Sequence, residues 1–185
     1  MNPKDFRELL STDIWIMEQM LSLPENPPGE EWVDSDGNKR YSVYVSSSMS
    51  DQQEAVKRYR NNLTPSIFVV TQKVYSELFR LFLSQNSFIT KSNQSDVETM
   101  IKENLDNFSD YRLFGDRKAF EDWWNGKYDY KKLRLSRNKV VHDKYDFKEN
   151  NKLIVKNSRD VLIEWTSNDV INFTKDVLKI AKSII

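Results

Sequence analysis

The sequence has no cysteine and one histidine, His142, among 185 residues. Without cysteine there is no disulfide, no thiolate ligand for zinc and no cysteine nucleophile, and the composition fits a reducing compartment, so a cytoplasmic location is expected. A lone histidine also leaves a zinc site short of ligands, so neither a metal nor another cofactor is expected. Long apolar runs are missing: nothing approaches the roughly 20 residues needed to span a bilayer. The first twenty residues interleave acids and bases with apolar positions, whereas a signal peptide would show a basic start and then an unbroken apolar run. An excess of either charge is absent as well. The 28 basic and 28 acidic residues cancel, so no overall field gathers a polyanion and any contact with nucleic acid has to be local. There is no phosphate-cradling glycine loop, no nucleophile elbow and no paired-histidine metal motif.

What is present suffices for one core. The length suits a single domain over residues 1–185, aromatics make up 12% of the chain, and neither a repeat nor a long linker divides it. Phe6, Leu10, Ile14, Met17 and Leu21 follow the spacing of one helical face and predict a helix over residues 3–23, ended by Pro24. Residues 32–33 and 41–45 flank Asp36-Gly37 as a hairpin would. The surrounding Asp34 to Asn38 lacks the glycine and glutamate spacing of a calcium loop and reads as the turn. Ser50-Asp51 predicts the start of a helix through Tyr59, and Thr64-Pro65 that of a separate, longer one through Leu83, with Ile67, Val70, Val74, Leu78, Leu81 and Phe82 as its stripe. Further helices are expected from Ser95-Asp96, carrying Val97, Ile101, Leu105 and Phe108, and from Asp116, carrying Phe120, Trp123 and Trp124. Others follow over residues 129–142 and from Ser167-Asn168 to the end. Two β-leaning runs, 152–155 and 161–165, predict a second hairpin. The expected fold is therefore mainly α: a bundle of four to five main helices with one or two small β-hairpins.

The helix over residues 129–142 concentrates positive charge. Between Lys127 and Lys144 there are seven basic residues against Asp129 and Asp143, so Lys131, Arg134, Lys139 and Lys144 are candidate RNA contacts, unless acids elsewhere in the fold answer them. Trp123, Trp124, Tyr128 and Tyr130 precede this helix and could stack bases, but aromatics at this density are expected to close the bundle core. Asn138 and His142, four apart, share a helical face, and Arg137 can swing toward it. A guanidinium suits a phosphate and an imidazole can give or take a proton near neutrality. Together they are a minimal kit for metal-independent phosphodiester cleavage in which the 2′-hydroxyl of RNA is the nucleophile. Such cleavage works best with an acid and a base, and one chain has one imidazole, so a homodimer with a two-fold axis beside this helix is expected.

Arg137-Asn138-Lys139-Val140-Val141-His142 resembles the Arg-x(4 to 6)-His signature of HEPN domains (higher eukaryote and prokaryote nucleotide-binding), including the polar residue after the arginine. Its place on a late bundle helix followed by one more major helix is similar too. The resemblance implies a dimerising helical bundle in which Arg137 and His142 of both protomers, with Asn138, form a metal-independent endoribonuclease site. It also implies a toxin or anti-phage role, often beside a nucleotidyltransferase-type antitoxin. Members that an antitoxin modifies carry a tyrosine two positions after the histidine; here that position is Lys144 and the tyrosine is Tyr145. Glu54 and Arg58, one turn apart, are possible accessory residues by the same resemblance, as is Tyr145.

Two other readings stand beside this one. His142 can end its helix by bonding a terminal carbonyl, with Arg137 paired to a carboxylate, in a non-catalytic interaction or nucleotide-binding module of the same fold. A small DNA-binding regulator ranks last, since no short helix-turn-helix is evident.

Overall fold

The stripe of the first helix, α1 (Pro3–Ser22), goes into the core as its spacing requires: Phe6, Leu10, Ile14 and Met17 are buried. The computed structural model describes residues 3–22, 30–33, 35–42, 49–88, 94–142, 145–148, 152–157 and 161–184, with only the backbone course at some positions, including 49–61. Strands β1 (Glu30–Val33) and β2 (Lys39–Ser42) pair antiparallel around a turn at Gly37, whose φ of 83° is the left-handed conformation that glycine tolerates best. The second strand thus lies two residues earlier than the sequence suggests; residues 43–45 of the expected strand fall outside the described residues.

The expected break at Thr64-Pro65 does not occur. A single helix, α2 (Met49–Gln85), runs through Pro65. A proline inside a helix forfeits one backbone bond and crowds the preceding turn. Packing overrides that cost here, because from Ile67 onward the helix is buried nearly all round: Phe68, Val74, Tyr75, Leu78, Phe79, Leu81, Phe82 and Leu83 are in the core. The Thr64 hydroxyl, expected to cap a helix start, instead donates to Ser167 Oγ at 2.9 Å. Two turns further on, Thr71 and Thr174 share a hydroxyl bond of 2.8 Å, so α2 and the last helix, α6 (Ser167–Ile184), run parallel with two buried polar pins between them.

Helix α3 (Gln94–Asn104) stops before Leu105 and Phe108, which the sequence placed on it, although Phe108 still reaches the core. Asp116 caps α4 (Arg117–Asn125) as predicted, its carboxylate accepting from the Ala119 amide at 2.7 Å. Strands β4 (Lys152–Lys156) and β5 (Val161–Thr166) form the second hairpin, and β3 (Tyr145–Lys148), which the sequence reading missed, adds an edge in the order β3-β4-β5. The start of α6 is capped by Thr166, not by Ser167-Asn168. Thr166 and Asp169 exchange bonds, amide to Oδ2 at 2.8 Å and amide to Oγ1 at 3.1 Å, which is a reciprocal capping box.

The rings of Phe79, Phe82, Phe114, Phe120, Trp124 and Tyr130 interlock at the centre. Trp124, Tyr128 and Tyr130 are buried and Trp123 lies against them, so these aromatics close the core, as expected. The buried Tyr75 hydroxyl shares its one proton between the carbonyl oxygens of Trp123 and Tyr128, fixing the bend between α4 and the next helix, and burial pushes its pKa well up. Among the described residues no helix is long and apolar enough to cross a membrane.

Candidate functional site

The candidate residues lie on α5 (Tyr130–Val141), which follows that bend. Asp129 caps its start, accepting from the Lys132 amide at 2.8 Å. Tyr130, Leu133, Ser136 and Val140, spaced by three and four, are buried and set the helix against α2 and the inner side of β4 and β5. That rotation leaves Lys131 and Lys132 exposed and holds Arg137, Asn138 and Lys139 half-buried.

His142 ends the helix. Its backbone (φ −100°, ψ 23°) leaves the helical region, its amide turns to the Val140 carbonyl, and its side chain is exposed. Arg137 Nη1 donates to Asn138 Oδ1 at 3.3 Å, so these two are brought together as the sequence suggested. No hydrogen bond joins His142 to either. The Arg137 Nε is buried without a partner, and no carboxylate pairs with this guanidinium among the described residues. Ser136 Oγ is buried and unpaired as well. A buried donor left unbonded costs about 1–3 kcal/mol, so Arg137 is not held where it is by the bonds it makes.

The neighbouring cations differ. Arg134 donates from Nε and Nη2 to Glu98 Oε2, at 3.2 and 2.9 Å, while Lys102 takes the other oxygen of the same carboxylate at 2.6 Å. Lys127 donates to Asp176 Oδ2 at 2.8 Å, and its hydrogen bonds with Asp176 and Tyr128 hold its pKa well above the usual lysine value. Arg134, a candidate phosphate contact on sequence grounds, is therefore engaged within the fold. Lys131, Lys132 and Lys139 have no carboxylate partner among the described residues. Lys144 lies outside the described residues, and Glu54 and Arg58 sit on the part of α2 where only the backbone is described. Tyr145 opens β3 and is partly exposed. Among the described residues no three histidines or carboxylates converge as a metal site would need.

Glu98 was not singled out in the sequence, because its partner stands 36 residues away and only the fold brings them together. Burial would raise its pKa, but hydrogen bonds from Lys102 and Arg134 more than offset this and the net shift is downward. A carboxylate depressed in the folded state stabilises above its ordinary pKa of 4.5, and that stability is lost as pH falls through the lowered folded value. Glu98→Gln is accordingly expected to cost about 1–2 kcal/mol at pH 7, read by chemical denaturation, with the gap to wild type closing in acid. A gap that stays constant from pH 7 to pH 3 would refute the charge pairing.

No protein-family model, curated protein or solved structure matches this chain.

Proposed function

We propose that the protein is a metal-independent endoribonuclease of the HEPN type, acting as a homodimer on single-stranded RNA. The observation that carries this reading is the contrast along α5. Arg134 is answered by a carboxylate, whereas Arg137, five residues before the exposed His142, is half-buried with no carboxylate partner among the described residues. An arginine kept in this costly state is suited to an anion that arrives from outside.

In the reaction, the RNA 2′-oxygen attacks the adjacent phosphorus while one His142 takes its proton, and the bond to the 5′-oxygen breaks as the His142 of the second protomer protonates that oxygen. The products carry a 2′,3′-cyclic phosphate and a 5′-hydroxyl. Arg137 stabilises charge on the non-bridging oxygens, and Asn138, through the bond to Nη1, orients the guanidinium. Lys131 and Lys139 would guide the strand. A cytoplasmic toxin or anti-phage effector restrained by a nucleotidyltransferase-type antitoxin is the biological setting that goes with this reading.

One observation favours a second reading. Because no hydrogen bond links His142 to Arg137, the same surface could serve a non-catalytic interaction module. RNA cleavage by wild type and His142→Ala in excess EDTA separates the two, with circular dichroism confirming that both are folded. The expected result is cleavage by wild type with cyclic-phosphate ends and a loss of about 10²–10⁴-fold in the variant. Products with 3′-hydroxyl and 5′-phosphate ends would rule out the mechanism; no cleavage by either protein would leave the interaction module.

A further inference from the structure

Six large hydrophobic residues are exposed among the described residues, and three of them, Val141, Tyr145 and Val161, are gathered at one end of the fold around His142. The topology brings them there. Helix α5 ends at Val141, and β3 starts three residues after His142, so the Cα atoms of His142 and Tyr145 are at most about 11 Å apart. Tyr145 pairs with Val155, Val155 with Ile163, and Lys156 with Val161, which puts all of these at the same end of the sheet as the C-terminus of α5.

Cross-strand partners share a face, so Tyr145 belongs to the face on which Val155 and Ile163 are buried. On the edge strand that face runs out. Tyr145 is left 36% exposed, with Val141 at 46% beside the same end, while Val161, the partner of Lys156, belongs to the other face. On α5 beside it, the cations Arg137 and Lys139 lack a carboxylate partner among the described residues. An aromatic and an aliphatic side chain beside these cations suit a ligand with a flat apolar face and an anionic backbone, and suit an apolar protein segment less well.

We propose that Tyr145, with Val141, forms a stacking platform for the unpaired base next to the phosphate that Arg137 and His142 engage. Resting on the nuclease reading above, this deepens it: the substrate is RNA that is unpaired at the cleaved step, because a base held in a duplex cannot reach the platform. Tyr145 is then a specificity-determining residue, not a proton carrier.

The test uses wild-type protein and two RNA ligands that lack the nucleophile, a 2′-O-methyl oligoadenylate 12-mer and a 2′-O-methyl abasic 12-mer, with binding read by fluorescence anisotropy. Tyr145→Ala is expected to weaken binding of the oligoadenylate by about tenfold and to leave the abasic strand unaffected, while Tyr145→Phe binds both as wild type does. Equal weakening on both ligands, no change on either, or no binding of either by wild type overturns the platform. The nuclease reading stands or falls separately, on His142-dependent cleavage of unmodified RNA in EDTA. Cleavage together with base-insensitive binding would therefore remove the platform alone.

Discussion

Arg137→Met is expected to impair RNA cleavage severely while leaving the protein at least as stable as wild type. The two effects have separate causes. Loss of a preorganised charge at the phosphoryl oxygens is expected to cost about 10²–10³-fold in kcat. Removal of the guanidinium forfeits one 3.3 Å bond to Asn138 and relieves an Nε that is buried without a partner. Methionine keeps an unbranched stem to fill the same space. Arg137→Lys is expected to recover little activity, since a point charge on a flexible stem does not reproduce a planar fork. Steady-state cleavage and thermal melts on the same preparations read both effects. A Met variant less stable than wild type by more than about 1 kcal/mol, with cleavage retained, would make Arg137 a structural residue.

Phe79→Ala is expected to be among the most damaging single changes in the chain, at about 3–5 kcal/mol in urea denaturation. The ring is fully buried and touches five others: Tyr75 and Phe114 at 5.0 Å between centroids, Tyr130 at 5.1 Å, Trp124 at 5.5 Å and Phe120 at 5.9 Å. These rings come from α2, from α4 and the segment before it, and from the first turn of α5, so no neighbour can close the void without moving a helix. The damage also reaches the candidate site, because Tyr130 sets the position from which α5 carries Arg137 and His142. A loss below about 1.5 kcal/mol would show that the cluster relaxes around the hole.

The helices α1, α3, α4, α5 and α6 were legible in the sequence because each repeats its apolar residues at helical spacing and most begin at a recognisable cap. Pro65 misled because a local rule about proline carries no knowledge of the burial that holds α2 from Ile67 onward. β3 went unseen for the opposite reason. Tyr145–Lys148 alternates as a strand should, but four residues are too few to be told from a loop until β4 supplies a partner. At the site, the types and spacing of Arg137, Asn138 and His142 could be read directly. Which cations keep their charge available could not be. Glu98 takes Arg134 and Asp176 takes Lys127, pairs made across 36 and 49 residues that depend on how the helices dock. The apolar end of the sheet beside His142 was hidden for the same reason, its members being brought together by strand register.

The parallel pairing of α2 with α6 bears on the order in which the chain can fold as it is synthesised. Helices α1 and α2 can dock soon after both have emerged, but the side of α2 that carries Thr64, Phe68 and Thr71 meets Ser167, Phe173 and Thr174 only when these have been made, about a hundred residues later. Contacts that distant in sequence are slow to form, and until they form the longest helix of the protein exposes an apolar flank to solvent. The last helix is thus the closing step of assembly. A chain truncated before residue 167 would leave that flank uncovered, open to aggregation and to proteases, so the folded core and the α5 site it supports depend on the final eighteen-residue helix.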